Sequence, residues 1–284
     1  MEEQKYRVGL SKEQAPPYVT YPYVLGGYRT GGNYKRCLLS LFEWHAETLN
    51  AWTMIVGAII SACLLLWTWS SLELNAITAL PFVALTTSVW LHMPFSVAFH
   101  LFRGIDPQVY NLWRRLDQVF IFQVSIMLTF GIAYHVFSWK GIAANTFAAI
   151  VVAQLATADV WNLSPTYQRN RNHMVIFVGS IVMCYWFPMM YQAVADLLAG
   201  HFSEVVALAG ATFAVLQLGG VIFAAGFPEK YFPGTFDTIG FSHQLMHVCA
   251  SLAHMLEYRF VYLMFKRAYL ADEWGGANPT VATA

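Results

Sequence analysis

The chain has 284 residues, 57% of them apolar and 11% charged, with 21 Phe, 15 Tyr, 10 Trp and a formal net charge of zero. A soluble domain carries about a quarter charged residues, so this excess of apolar side chains calls for lipid around it. A neutral chain has no electrostatic footprint for nucleic acid, and the four scattered cysteines (Cys37, Cys63, Cys184, Cys249) form neither a disulfide framework nor a CxxC thiolate zinc site.

The first residues, Met1 to Lys5, are polar and lack the apolar core of a signal peptide, so insertion is expected to rely on the first internal apolar segment. Residues 1–50 read as a cytoplasmic N-terminal segment. Within it Leu38, Leu41, Phe42, His45 and Leu49 recur at helix-like intervals, which suits either a short helix along the inner leaflet or a linker with a few membrane-facing aromatics. Runs of roughly 20 apolar residues, the length that crosses a bilayer, follow at about 51–70, 76–101, 117–137, 142–161, 173–195, 203–225 and 240–265. The expected fold is therefore an all-α integral membrane protein, with a seven-helix transmembrane domain over 51–265 and a tail over 266–284. The breaks hold turn and charge signals: Glu73, Arg103 to Arg115, Trp139-Lys140-Gly141, Pro165 to Arg171, Gly200-His201 and Pro228 to Asp237. The tail around Trp274-Gly275-Gly276 reads as unstructured, and no repeat or low-complexity tract is visible.

Orientation follows from Lys and Arg placement. With seven spans, the N-terminal segment and the second, fourth and sixth connections share a side and hold twelve Lys/Arg; the other side holds Lys140, Arg259, Lys266 and Arg267. The N-terminus is expected in the cytosol and the C-terminus on the exoplasmic side, opposite to a G-protein-coupled receptor. That topology puts His100 near the inner end of the second span, Asp117 near the start of the third, and His243 and His247 at the start of the seventh. His243 and His247 share one helix face, and Ser96 lies one turn from His100.

Three histidines at one level without thiolates suit zinc, with the fourth tetrahedral position left for water or substrate. Taken singly, each residue has a plainer reading. His100 can be a hydrogen-bonded packing residue, and Asp117 can pair with Arg114 or Arg115. His92 and His254 continue the two stripes roughly 10–12 Å deeper, where they either pack or line a polar cavity or relay. Several chemistries are excluded. Gln244 stands where a zinc protease HExxH has Glu, no Lys lies mid-span in the seventh helix, and there is no GxSxG elbow or phosphate-cradling loop. The acceptor Asn162-Leu163-Ser164 faces the cytosol in this topology and is expected to stay unglycosylated.

Four segments in order resemble the progestin and adipoQ receptor family, which includes adiponectin receptors and haemolysin-III-like proteins. The segment Ser40-Leu41-Phe42-Glu43-Trp44-His45-Ala46-Glu47-Thr48-Leu49-Asn50-Ala51-Trp52-Thr53 is similar to its SLFxxHNETxNIWTH pattern. Ser96-Val97-Ala98-Phe99-His100 matches SxxxH, and Arg115-Leu116-Asp117 matches RLD. Pro228 to Asp237, followed by Ser242-His243-Gln244-Leu245-Met246-His247, resembles PERxxPGxxDxxGxSHQxxH. Ala46 and Met54 depart from the usual Asn and His, which leaves the subgroup open.

The resemblance implies a zinc ion held by His100, His243 and His247, with Asp117 acting through bound water and Ser96 beside the metal. It also implies hydrolysis of a ceramide-like lipid amide entering sideways from the bilayer, with an extracellular ligand as a further partner. The host membrane is expected to be the plasma membrane or an endomembrane (Golgi or ER). A second reading is a signalling receptor whose zinc only braces helices. A pore or transporter is weaker, since neither a repeat nor a pair of broken helices is visible.

Overall fold

The computed structural model describes residues 5–162 and 171–269, with the backbone alone for 171–173. The fourth connection, Leu163 and Ser164 of the glycosylation acceptor, and the tail beyond Tyr269 lie outside the described residues.

Residues 5–46 fold against one end of the helical body. Strand β1 (Arg7–Leu10) pairs antiparallel with β2 (Tyr28–Thr30) in the register Arg7 to Thr30 and Leu10 to Tyr28, with an irregularity between Val8 and Leu10. This ladder is an addition to the all-helical expectation; strands of three and four residues are too short to show an alternating pattern. The short helix α1 (Tyr34–Leu39) follows, capped by Asn33, whose side chain accepts from the Arg36 amide at 2.9 Å. A 3-10 turn, Ser40–Phe42, completes the segment. Leu38, Leu39, Phe42 and Trp44 are exposed here, while His45, expected on the same stripe as Leu38 and Phe42, is buried at 1% exposure, because the helix ends at Leu39 and the chain turns inward after Phe42. The inner side of the segment packs Leu10, Ala15, Val19, Val24 and Tyr28 around Phe241.

Among the described residues, seven long helices follow: α2 (Thr48–Ser71), α3 (Leu80–Phe102), α4 (Pro107–Ala133), α5 (Trp139–Asn162), α6 (Arg171–Leu198), α7 (Glu204–Ala225) and α8 (Ser242–Tyr269). Six of them, α2 to α7, are long and apolar enough to cross a membrane. Helix α8 is as long, 28 residues, but its His243, His247, His254, Glu257, Arg259, Lys266 and Arg267 dilute its apolar character. Large apolar side chains such as Leu66, Trp69, Phe147, Val175 and Val221 face outwards, an arrangement untenable in water and expected in lipid.

The boundaries have local causes. Asp106 caps α4, accepting from the amides of Gln108 and Val109 at 2.7 and 2.8 Å, with Pro107 at the first helical position. Helix α4 therefore begins ten residues before Asp117, although the polar residues 107–116 read as a connection. Gly226 ends α7 at φ 65°, its amide reaching back to the Ile222 and Phe223 carbonyls. Ahead of α8, Gln244 folds back: its amide donates to the Thr238 carbonyl at 2.9 Å and its oxygen accepts from the Gly240 amide at 2.6 Å. Glu229 accepts from the Ser242 amide at 2.8 Å.

Neighbouring helices run in the circuit α2, α3, α4, α6, α7, α8, closed by α8 against α2, with α5 packed outside α4 and α6. Closing that circuit brings the first turns of α8 beside the last turn of α3.

Candidate metal centre

His100 lies on the last turn of α3, and His243 and His247 on the first turns of α8. Their ring centroids are 5.2 Å (His100–His243), 5.3 Å (His100–His247) and 4.7 Å (His243–His247) apart. Each offers a ring nitrogen within 4.8 Å of the other two, so the trio could hold a metal ion. The structure thus brings together the three histidines singled out by spacing and charge asymmetry.

The outer nitrogens of two rings are occupied in a way that sets their tautomers. Glu47 Oε2 lies 2.7 Å from His100 Nδ1 and accepts its proton. The Thr53 hydroxyl donates to the Asn50 carbonyl at 2.9 Å and lies 3.0 Å from His247 Nδ1, so Nδ1 is the donor there. Both rings then present an unprotonated Nε2, the pattern by which outer partners orient metal-binding imidazoles. Among the described residues, His100 Nε2 and His243 Nδ1 are buried polar atoms with no hydrogen-bond partner. Leaving such an atom unsatisfied costs about 1–3 kcal/mol, and two in one cluster of imidazoles fit a bound cation. The donor set of three neutral nitrogens without thiolate suits a borderline metal such as zinc.

Glu47, at the N-cap of α2, anchors the cluster from below. Beyond His100 it accepts from Arg103 Nη1 at 2.8 Å and Asn50 Nδ2 at 2.8 Å. Its burial opposes ionisation, but the Arg103 guanidinium and the hydrogen bond from His100 hold its carboxyl well below the usual carboxylate range. Arg103 also donates to the Tyr21 hydroxyl and to the Val19 carbonyl, the latter at 3.3 Å, and stacks 4.8 Å from the Tyr21 ring. The N-terminal segment is thereby fastened to the floor of the centre. A close approach helps: a Cβ on Gly104 would stand 2.5 Å from the Arg29 carbonyl oxygen.

Asp117 projects from α4, and its Oδ1 lies 3.2 Å from His92 Nε2 on α3. Ser96, one turn before His100, is buried at 1% exposure. Spacing did not single out Glu47, Arg103 and Thr53, although Glu47 and Thr53 lie within the first quoted segment. His92 emerges as the neighbour of Asp117, and Arg114 is turned to Gln118 and Asn111 at 3.2 and 3.4 Å.

A profile of the family described as Haemolysin-III related matches residues 42–258. Among curated proteins, progestin and adipoQ receptor family member 3 of Mus musculus is 24% identical over 262 residues, 84% of this chain and 82% of the relative. Membrane progestin receptor beta of the same species is 23% identical over 275 residues, 90% of this chain and 76% of the relative. An uncharacterized protein of Schizosaccharomyces pombe is 22% identical over 234 residues, and the match spans about half of its length, 53%, and 80% of this chain.

Proposed function

The chain belongs to the Haemolysin-III related family, with the progestin and adipoQ receptors as relatives, and we propose that within it this protein is a zinc-dependent intramembrane hydrolase of a ceramide-like lipid amide. The observation that carries the reading is the pair of buried, unpartnered ring nitrogens on His100 and His243 beside a tautomer-fixed His247. In this reading α8 is the seventh span. The twelve Lys/Arg of one side against four of the other put the N-terminus in the cytosol, the C-terminus on the exoplasmic side and the centre in the cytoplasmic half.

His100, His243 and His247 would hold the ion. Zinc so bound lowers the pKa of a coordinated water to about 7 and polarises a carbonyl. Asp117 accepts the proton of the attacking water and delivers it to the departing amine as the C–N bond breaks. Ser96 donates a hydrogen bond to the carbonyl oxygen as it gains negative charge. The surrounding helices exclude bulk water, and the lipid reaches the centre laterally from a plasma or internal membrane.

A second reading, a receptor in which zinc braces α3 against α8, draws on the receptor names of the relatives and on the Glu47–Arg103–Tyr21 chain, which ties the centre to the N-terminal segment. One experiment separates the two: metal content and ceramide turnover of purified wild type, His243→Ala and Asp117→Asn. About one zinc per chain is expected in wild type and little in His243→Ala. Asp117→Asn keeps the zinc and loses turnover if the protein is the hydrolase. Turnover absent from wild type across acyl chains, with zinc present, selects the receptor, and a metal-free wild type sinks both.

A further inference from the structure

Beyond the three histidines, α2 and α8 run side by side along a second line of polar side chains. Thr53 meets His247 at 3.0 Å, a Cβ on Gly57 would stand 2.9 Å from Ser251 Oγ, Ser61 Oγ meets His254 Nε2 at 3.0 Å, and Thr68 Oγ1 meets the Tyr258 hydroxyl at 3.1 Å. Hydroxyl contacts of this kind are ordinary glue between membrane helices. Glu257 is not. It is 3% exposed, ten residues beyond His247 and so roughly 15 Å further along α8 by helix rise. The group facing it is His254 Nδ1 at 3.8 Å, outside hydrogen-bond range, and among the described residues no donor bonds to it.

Ionisable groups within a membrane segment are costly and ask for a partner. The basic side chains of this half of α8 are engaged elsewhere. Arg259 makes a two-pronged contact with Glu204 at 2.8 and 3.1 Å, and Arg267 with Asp196 at 3.0 and 2.8 Å. The titratable groups near Glu257 are His254 on its own helix and Tyr185 on α6, which interacts with its charge. At the level of His254, α2 and α3 supply hydroxyls: Ser61, and Thr86, which donates to the Ser61 carbonyl at 3.4 Å.

A metal ion would need more donors than this. Only two ligand side chains converge here, and among the described residues His100, His243 and His247 are the group of three or more that could hold one. A proton asks for only a carboxylate and an imidazole. We propose that Glu257 and His254 form an intramembrane proton-binding site, separate from the metal centre, which holds one exchangeable proton between carboxylate and imidazole. The proton adds to Oε2 or to Nδ1 and leaves the pair without net charge; its release leaves one buried negative charge. Ser61 holds the far ring nitrogen, and a small rotation of either side chain brings Nδ1 and Oε2 into hydrogen-bond range. The seam through Ser61, Ser251 and Thr53 supplies a polar route towards the metal centre.

The test is infrared spectroscopy of the full-length, detergent-solubilised protein, titrated with pH in H2O and D2O. We expect a deuterium-sensitive carboxylic-acid C=O band that vanishes reversibly as pH rises and is missing from Glu257→Gln. Its midpoint should move by a unit or more in His254→Gln. Identical spectra for wild type and Glu257→Gln at every pH overturn the site, as does a band that never titrates. An unmoved midpoint in His254→Gln overturns the pairing. Should Glu257→Gln fail to fold, the His254→Gln midpoint decides alone.

Discussion

Glu47 Oε2 sits 2.7 Å from Nδ1 of His100, across 53 residues of sequence, and the same carboxylate receives Arg103 at 2.8 Å. A single buried anion therefore fixes the tautomer of a candidate metal-binding imidazole and carries the N-terminal segment through Arg103 to Tyr21. The centre and the segment beneath it are parts of one polar network, so a disturbance of either reaches the other.

Glu47→Ala is expected to be the most damaging substitution of a residue outside the three histidines. It strands Arg103 and the His100 Nδ1–H in an apolar interior, and breaking a buried ion pair from one side costs roughly 3–5 kcal/mol. Glu47→Gln keeps the shape and one acceptor oxygen, but it removes the charge opposite Arg103 and turns the other oxygen into a donor, so it should lose part of the same stabilisation, less than Glu47→Ala. In the folded fraction metal retention should weaken about 10–100-fold, the range seen for outer partners of metal ligands. Thermal unfolding separates the first effect, and competition with a chelator the second. Equal chelator resistance in Glu47→Gln and wild type would detach this carboxylate from the centre.

His92 orients Asp117 through a 3.2 Å contact and is not among the three histidines of the cluster. Under the hydrolase reading, His92→Phe should leave zinc content near that of wild type and lower kcat about tenfold or more, with little change in KM, because Asp117 loses the hydrogen bond that aims it. His92→Gln, which can still donate, should recover part of the rate. A fall in zinc instead would make His92 part of the metal shell.

The seven long helices are legible in the chain because runs of about 20 apolar residues have few other uses. Six of the seven are long and apolar enough to cross a membrane, and the helix boundaries agree with the expected runs to within a few residues, except at α4. There Gln108, Asn111, Arg114 and Arg115 lower the hydropathy of a stretch that Asp106 and Pro107 nevertheless start as helix. That Asp-Pro cap is a sequence signal, and it sets Asp117 two to three turns into the helix, where it meets His92. His243 and His247 are legible as one face of a helix, and His100 through the charge asymmetry that sets its level. The links from Glu47 to His100 and from Thr53 to His247 join residues 53 and 194 apart, and spacing carries no information about such tertiary contacts.

Gly131 marks a close crossing of α3 and α4. A Cβ there would press into the Leu85 side chain and stand 2.9 Å from the Pro81 carbonyl oxygen. The leucine can turn away, but the backbone carbonyl cannot, so Gly131→Ala must push the helices apart. Overpacking of this kind costs about 1–3 kcal/mol, enough to outweigh the gain in helix propensity of roughly 1 kcal/mol. A lower unfolding temperature in detergent is expected, and an unchanged or raised one would mean that the crossing is slack.

The N-terminal segment should loosen in acid because of His45. Its Nδ1 accepts from the Glu47 amide at 3.1 Å and its Nε2 faces the Ser40 carbonyl at 3.1 Å, so the ring is held in its neutral form. Burial first, then the Arg29 charge, push its pKa down from 6.5 to about 4. The unfolded segment thus binds more protons than the folded one between those values, and stability rises with pH across that interval. Full stability is present above pH 6.5 and is lost as pH falls towards 4, by a limit of roughly 3 kcal/mol at 1.36 kcal/mol per unit. Hydrogen exchange of residues 40–48 should accelerate over that interval in wild type, while the rates in His45→Gln, corrected for the intrinsic pH effect, should stay flat. Protection that holds in wild type down to pH 4 would mean that the imidazole accepts its second proton in place, and that Glu47 is not unseated by acid through this contact.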